Sequence, residues 1–200
     1  GPFLKVRSTY REYIHLKKIN ENLLDENRRL LRDAYNRELQ LSQTVTVTDS
    51  LAKPMFEYLR ANVIENTTNL QSNYIILDKG TKDGITADMG VISPLGIVGI
   101  VKDVSRNYCI VLSLLHKEFI ISAKVAKNNV AGILIWNGKN HAKAQLKNIS
   151  TVEDIHSRDT VVVQHSLIFP ENYPIGTILK IDQHVKGGYF ELDISLFEKM

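Results

Sequence analysis

The sequence YIILDKGTKDGITADMGVISPLGIVGIVKDV, residues 74–104, decides the fold. It contains five of the chain's eleven glycines, separated by short runs of β-branched residues. Glycine supplies the positive φ angles that hairpin turns and bulges need, and β-branched residues favour strands. The stretch therefore predicts tightly turned antiparallel strands in a small β-barrel. Its glycine spacing matches neither the dinucleotide-binding fingerprint nor the P-loop, which argues against a nucleotide site here.

Short strand-like runs continue through the rest of the chain. They recur about every eight to twelve residues and give about ten to twelve strands, which suits two small β-barrels better than one sandwich. We expect the first of these strands at 55–64. The dipeptide Asn137-Gly138 is the strongest hairpin signal in the chain and predicts a type I′ turn.

Residues 3–41 have a different pattern, a polar sequence with a sparse apolar heptad repeat. Leucines occupy successive d positions and asparagines the a positions between them: Leu16, Asn20, Leu23, Asn27 and Leu30. Leucine at d with Asn at a predicts a parallel two-stranded coiled coil, in which the Asn residues fix the register. The alternative is an amphipathic helix that folds back on its own domain. Alternating Thr and Val then predict a linker or an edge strand at 42–54.

Charge and cysteine content narrow the classes of function. Residues 1–41 hold nine basic against six acidic residues, whereas the rest of the chain has sixteen of each. By charge, the globular part is therefore not a nucleic-acid binder. Cys109 is the single cysteine, so no internal disulfide can form, and its apolar neighbours predict a buried thiol.

The sequence carries no recognisable catalytic or metal-binding motif. His165 and Ser166 are adjacent, and neighbours on a strand point to opposite faces, which is poor geometry for a base and its nucleophile. Neither a G-x-S-x-G turn nor an H-x-x-x-H or C-x-x-C spacing is present. We expect His116 and His156 at the surface or in loops. We therefore expect no catalytic residue, no metal and no cofactor.

An ordered series of motifs resembles the MreC family of bacterial rod shape-determining proteins. Residues 78–101 follow the pattern D-K-G-x-x-D-G-[IV]-x-x-x-M-G-V-[IV]-S-P-x-G-[IV]-V-G-x-V, and the apolar strand 110–115 follows. The tail 159–178 then resembles the family's last motif, with its Phe-Pro and Ile-Gly pairs. Two positions depart from the family: Arg158 replaces a Gly, and Gln164-His165-Ser166 replaces Thr-Ser-Gly.

The resemblance implies a mainly β fold, with a long N-terminal α-helix in a coiled coil followed by two small six-stranded antiparallel β-barrels. On that basis 55–96 together with 158–200 would form the first barrel, and 97–157 the second. The resemblance also implies a transmembrane helix ahead of Phe3. Residues 1–2, Gly-Pro, are by themselves typical of the remnant of a cleaved expression tag.

The family's function sets the remaining expectations. The resemblance implies a non-catalytic scaffold on the periplasmic face of the inner membrane that binds and activates the elongation-specific penicillin-binding transpeptidase. Other implied partners are a second copy of the chain, with filaments as an extension of the dimer, and MreD in the membrane. Three residues are candidate partner-binding anchors: Leu95 at a hairpin tip, Trp136 and Phe169. The alternative for Trp136 is cross-strand packing, and the alternative for Phe169 is burial at one end of a barrel.

Two other classes of function are alternatives. A periplasmic adaptor of an export system also joins helices to barrels, but it needs an antiparallel helical hairpin, and this sequence predicts one helix. A serine protease built on a barrel would need His165 or Ser166 to act with residues from distant segments. Neither alternative explains the ordered glycine motifs.

Overall fold

The computed structural model describes residues 56–186 and 189–198, together with 18–19, 22–23, 25–27, 29–30 and 33. The chain divides into two compact units, Gly1–Arg60 and Ala61–Met200. The described residues between 18 and 33 are helical and exposed, among them Leu23, Asn27 and Leu30. Leu16, Asn20 and the predicted linker 42–54 lie outside the described residues, so the long helix is not confirmed. Among the residues that are described, no helix is long and apolar enough to cross a membrane.

The second unit is built from β-strands joined by short connections. The described residues form these strands and one 3-10 helix: β1 (Val63–Asn66), β2 (Ser72–Leu77), the 3-10 helix (Thr81–Asp83), β3 (Gly90–Ile92), β4 (Ile97–Val104), β5 (Cys109–His116), β6 (Ile120–Val125), β7 (Ala131–Ile135), β8 (Lys143–Ile149), β9 (Thr160–Val163), β10 (Pro174–Lys186) and β11 (Tyr189–Leu196).

The first five strands form one antiparallel sheet in the order β1-β2-β5-β4-β3. Side chains along β2 and β4 alternate between buried and half-buried, as the period of two requires when one face of a sheet is packed. The packed face carries a core cluster of Ile75, Leu77, Ile85, Val101, Cys109 and Val111. Cys109 is buried as expected, and burial raises the pKa of its thiol because the thiolate would lose its hydration.

The other six strands close into an antiparallel barrel in the order β10-β11-β8-β7-β6-β9, and pairing between β9 and β10 completes the ring. Fully buried aliphatic side chains fill its interior, including Leu134, Leu146, Val161, Val163 and Leu192. Closure removes the free edges that an open sheet exposes. The prediction of a mainly β chain with a closed six-stranded antiparallel barrel is confirmed.

The five-stranded sheet differs from the prediction, which had a six-stranded barrel in its place. It has five strands within the described residues, with β1 and β3 at its edges. The strands are also divided differently: β4 and β5, placed in the predicted 97–157 barrel, belong to the five-stranded sheet, and β9 to β11 close the barrel with β6 to β8. Consecutive strands pair because short loops cost the least entropy to close. The chain therefore completes one sheet before it begins the next.

Two local predictions are also corrected. Asn137-Gly138 does not form a two-residue type I′ turn, since β7 ends at Ile135, β8 begins at Lys143, and only the glycine of the pair has a positive φ (77°). The Asn137 side chain instead accepts a hydrogen bond from the N–H of Lys139 (3.1 Å), which gives a wider loop.

The first strand begins later than the predicted 55–64. It starts at Val63, directly after a clamp in which Asn62 donates its backbone N–H (2.7 Å) and its side-chain Nδ2 (2.6 Å) to the carboxylate of Asp78. These hydrogen bonds lower the pKa of Asp78, because they stabilise its charged form. The clamp fixes where β1 joins β2.

Candidate partner-binding site

The hairpin between β3 and β4 packs against the loop between β9 and β10. We call this contact the junction, formed by residues 90–96 of the hairpin and 164–174 of the loop. Gly90 makes it possible, since a Cβ at this position would lie 2.5 Å from the backbone oxygen of Ile168 and 2.9 Å from Cε1 of Phe169. Those distances leave no room for a side chain. Phe169 is fully buried and fills the space that Gly90 leaves.

Hydrogen bonds hold the tip of the hairpin on the barrel. The hydroxyl of Tyr173 donates to the backbone oxygen of Ser93 (2.7 Å), and the Ser93 hydroxyl donates to the carboxylate of Glu198. The same hydroxyl oxygen accepts the N–H groups of Leu95 (3.1 Å) and Gly96 (3.2 Å), which shapes the tight turn. The position of the turn is therefore fixed from both the sheet and the barrel.

The turn presents Leu95 to solvent. Its side chain is 57% exposed, although the backbone around it is held by hydrogen bonds. A large apolar side chain on a rigid turn loses little conformational entropy when a partner covers it. The prediction that Leu95 lies at a hairpin tip agrees with the structure, and its role as a partner-binding anchor stays a prediction.

The loop of the barrel presents a second leucine. Ser166 folds this loop, because its hydroxyl oxygen accepts the N–H groups of Ile168 (3.1 Å) and Phe169 (3.0 Å). His165, with a positive φ of 45°, donates its N–H to the carboxylate of Glu171 (2.7 Å). The fold-back turns Phe169 inward and leaves Leu167 93% exposed.

Two of the three predicted anchor residues are not available at the surface. Phe169 is buried in the junction, and Trp136 is 4% exposed with its indole N–H donated to the backbone oxygen of Asn140 (2.8 Å). The exposure of Leu167 does not follow from its hydrophobicity, and this residue is not among the predicted anchors. Its signal was Ser166, because a serine ahead of an apolar pair often accepts their N–H groups and reverses the chain.

The second face of the five-stranded sheet extends the apolar surface. It carries a group of half-buried and exposed side chains: Tyr74, Ile76, Ile100, Ile110 and Leu112. Register makes them neighbours, since Ile76 lies opposite Ile110, and Leu112 lies opposite both Tyr74 and Ile100. Gly90 lies opposite Ile100, and directly paired residues share a face. The junction therefore borders this apolar face.

The charged groups near the junction are of both signs. Lys124 on β6 pairs with Glu171 of the loop (3.3 Å). His165 and Ser166 lie in the loop rather than on a strand, and both shape its backbone by hydrogen bonds. Within the described residues, no three His, Cys, Asp or Glu side chains are grouped so that they could hold a metal ion. The arrangement is suited to contact with another macromolecule.

Comparison with known proteins decides the family. The family model of the rod shape-determining protein MreC, barrel core, matches residues 63–200, which include both sheets and the junction. The chain belongs to the MreC family. The cell shape-determining protein MreC of Listeria monocytogenes is 27% identical over 186 residues, 91% of this chain and 62% of that protein. The chain thus spans about three fifths of that MreC.

Solved MreC structures share the fold. The chain matches the Listeria monocytogenes MreC structure with a TM-score of 0.68 and 28% identity, covering 92% of this chain and 88% of the other. A complex between penicillin-binding protein PBP2 and MreC from Helicobacter pylori matches with a TM-score of 0.51 and 18% identity, over 64% of this chain and 79% of the other. The latter likeness shows the fold alone.

Proposed function

We propose that this MreC chain is the extracytoplasmic head of a non-catalytic scaffold in the cell-wall elongation complex, and that its junction binds the elongation-specific penicillin-binding transpeptidase. The observation that carries the proposal is the pair of exposed leucines, Leu95 and Leu167, on two segments that fix each other in place. Membership in a family of cell shape-determining proteins supports it. So does the existence of a solved complex between another MreC and PBP2.

The junction is well suited to be the centre of such an interface. Binding energy in protein interfaces concentrates in a few apolar anchors that are surrounded by less critical contacts. Leu95 and Leu167 provide anchors, and the half-buried face around Ile100 and Leu112 provides the surrounding apolar area. A partner that fits this surface in only one of its conformations would be shifted toward that conformation, since a ligand shifts an equilibrium by its differential affinity. That is how a scaffold without chemistry activates an enzyme.

The remaining parts of the proposal concern the coiled coil, the membrane segment and contacts between heads. The heptad leucines and asparagines at 16–30 would pair two copies in a coiled coil on the periplasmic side of the inner membrane. A preceding membrane segment would contact MreD. Contacts between heads would extend dimers into filaments if they are heterologous and do not close.

Capture from the native envelope tests the proposal. The immobilised chain is incubated with detergent-solubilised envelopes of its own bacterium, and bound penicillin-binding proteins are detected with a fluorescent penicillin. We expect one labelled penicillin-binding protein to be retained by the wild type and lost with Leu167→Glu or Leu95→Glu. Leu70→Glu is the matched control, because Leu70 is also 57% exposed but lies on the loop between β1 and β2. Equal capture by all four proteins would refute the junction as the binding site, and no labelled protein in any sample would refute the partner.

A further inference from the structure

His116 lies where the five-stranded sheet passes into the barrel. It is the last residue of β5, and residues 117–119 connect it to β6. The sequence predicts a surface or loop histidine, but His116 is only 2% exposed at the end of β5. Its Nδ1 accepts the N–H of Glu118 (3.0 Å), and its backbone oxygen accepts the N–H of Phe119 (3.0 Å). The histidine thus shapes the link through both its ring and its backbone.

The other ring nitrogen has no partner. Nε2 of His116 is buried and makes no hydrogen bond to any residue that the structure describes. Buried polar atoms are nearly always paired, so an unpaired one in a native fold calls for an explanation. The ring contacts Tyr74 on β2, with ring centroids 5.0 Å apart, and this contact gives Nε2 no acceptor.

The surroundings of the ring are tightly built. Asn73 on β2 is fully buried and donates to the backbone oxygens of Leu70 (2.7 Å) and Leu115 (2.7 Å), which ties β2 to the end of β5. Lys117 of the link donates to the side chain of Gln71. Movement of the imidazole would therefore be transmitted to the connection between sheet and barrel.

Protonation is incompatible with this geometry. A neutral imidazole can accept the Glu118 N–H at Nδ1, but an imidazolium carries a proton on both nitrogens and turns that bond into a contact between two donors. It would also place an unpaired charge in a buried site. Burial lowers the pKa of His116, the carboxylate of Glu118 raises it, and the ammonium of Lys102 on β4 lowers it further. Lys117 follows His116 in the link, and Tyr74 contacts the ring.

We propose that His116 is an acid-sensitive latch between the two sheets of the head. With a neutral ring the link is closed, and the hairpin and the barrel loop meet at the junction. Protonation removes the Glu118 contact and frees the five-stranded sheet to move relative to the barrel, which separates Gly90 from Phe169. The latch couples the pH of the surroundings to the surface that presents Leu95 and Leu167. The proposed latch does not depend on which partner binds the junction.

The sign of the pH dependence follows from linkage. The unfolded chain has an ordinary histidine, with a pKa of about 6.5. Between this value and the lower pKa of the folded state, the opened or unfolded chain binds one more proton than the closed one. Closed protein is therefore lost as pH falls from about 6.5, by up to about tenfold in the closing equilibrium per pH unit. Below the folded pKa the dependence on this group ends.

Hydrogen exchange across a pH series tests the latch. Exchange of the amides of 90–96 and 164–174, corrected for the intrinsic pH dependence, is compared in the wild type, His116→Asn and His141→Asn. The Asn side chain keeps an acceptor for the Glu118 N–H but cannot be charged, and His141 is an exposed control histidine. We expect acid to increase junction exchange up to about tenfold per pH unit in the wild type and in His141→Asn, and not in His116→Asn.

A second measurement keeps the test decisive if His116→Asn does not fold. Imidazole nitrogen chemical shifts in the wild type report the protonation of each histidine. We expect His116 to stay neutral below the ordinary histidine pKa of about 6.5, and to become charged only as junction exchange rises. Protonation of His116 at the ordinary histidine pKa of about 6.5, without any increase in junction exchange, would overturn the latch. The same pH dependence of exchange in a folded His116→Asn would also overturn it.

Discussion

Substitution of Phe169 tests the packing inside the junction without changing its exposed side chains. Phe169→Ala removes a fully buried aromatic ring that fills the space above Gly90. A buried aromatic residue covers about 150–250 Å². At roughly 25 cal/mol per Å² this is about 4–6 kcal/mol for the whole residue, an upper bound because the unfolded chain already buries some of that area.

The expected loss in the free energy of unfolding is somewhat smaller than this upper bound. Alanine keeps part of the buried area, but the ring leaves a cavity that cannot collapse, since Ser166 holds the loop by two hydrogen bonds. We therefore expect Phe169→Ala to lower the free energy of unfolding by about 3–5 kcal/mol. Leu167→Ala, two residues earlier on the same loop, removes a side chain that is 93% exposed and should change it by less than about 0.5 kcal/mol.

Urea unfolding followed by Trp136 fluorescence measures both variants, because the indole is buried in the folded barrel. The wild type and Leu167→Ala should share one midpoint, and Phe169→Ala should unfold at a clearly lower urea concentration with a similar slope. A loss below about 1 kcal/mol for Phe169→Ala would refute the reasoning, because it would mean that the ring is not packed in the junction. A comparable loss for Leu167→Ala would show that this leucine is buried rather than presented to a partner.

Three further substitutions test the packing around the two sheets. Gly90→Ala should lower the free energy of unfolding by about 1–3 kcal/mol, because its Cβ would lie 2.5 Å from a backbone oxygen, and urea unfolding measures the change. Asn73→Ala should cost about 1–3 kcal/mol by leaving the buried oxygen of Leu115 unpaired, which a lowered thermal midpoint would report. Asp78→Asn should flatten the acid limb of the stability curve, because the lowered pKa of Asp78 gives stability that is present above about pH 4 and lost as pH falls through the folded pKa. Urea midpoints of the wild type and Asp78→Asn that fall in parallel below pH 4 would exclude that contribution.

The strands were predictable because their pattern is local. Alternation of buried and half-buried residues along β2 and β4 follows from the period of two, and the glycine-rich stretch at 74–104 indeed forms the hairpins and bulges that its composition indicates. What could not be predicted is which strands share a sheet. That choice depends on contacts between segments distant in sequence, such as the pairing of β9 with β6 and β10, for which no single residue carries a signal.

The exposure of the side chains at the candidate site could also be predicted only in part. Leu95 could be placed from its neighbours alone, since Pro94 and Gly96 make a turn that leaves its side chain little to pack against. Phe169 and Leu167 could not be told apart by hydrophobicity, because their exposure is decided by two hydrogen bonds from the loop to Ser166. His116 was expected at the surface or in a loop, yet it lies at the end of a buried strand where the sheet meets the barrel.

Direct titration of the chain with the transpeptidase that we propose as its partner tests the central claim. The periplasmic part of the elongation-specific penicillin-binding protein from the same bacterium is titrated by isothermal calorimetry into the wild type, Leu167→Glu and Leu70→Glu, after each variant is shown to have the wild-type unfolding midpoint. We expect saturable one-site binding by the wild type and Leu70→Glu, and at least tenfold weaker binding by Leu167→Glu, about 1.4 kcal/mol. No heat of binding for the wild type, or equal affinity of all three proteins, would contradict the proposal that the junction of this MreC head is where the transpeptidase binds.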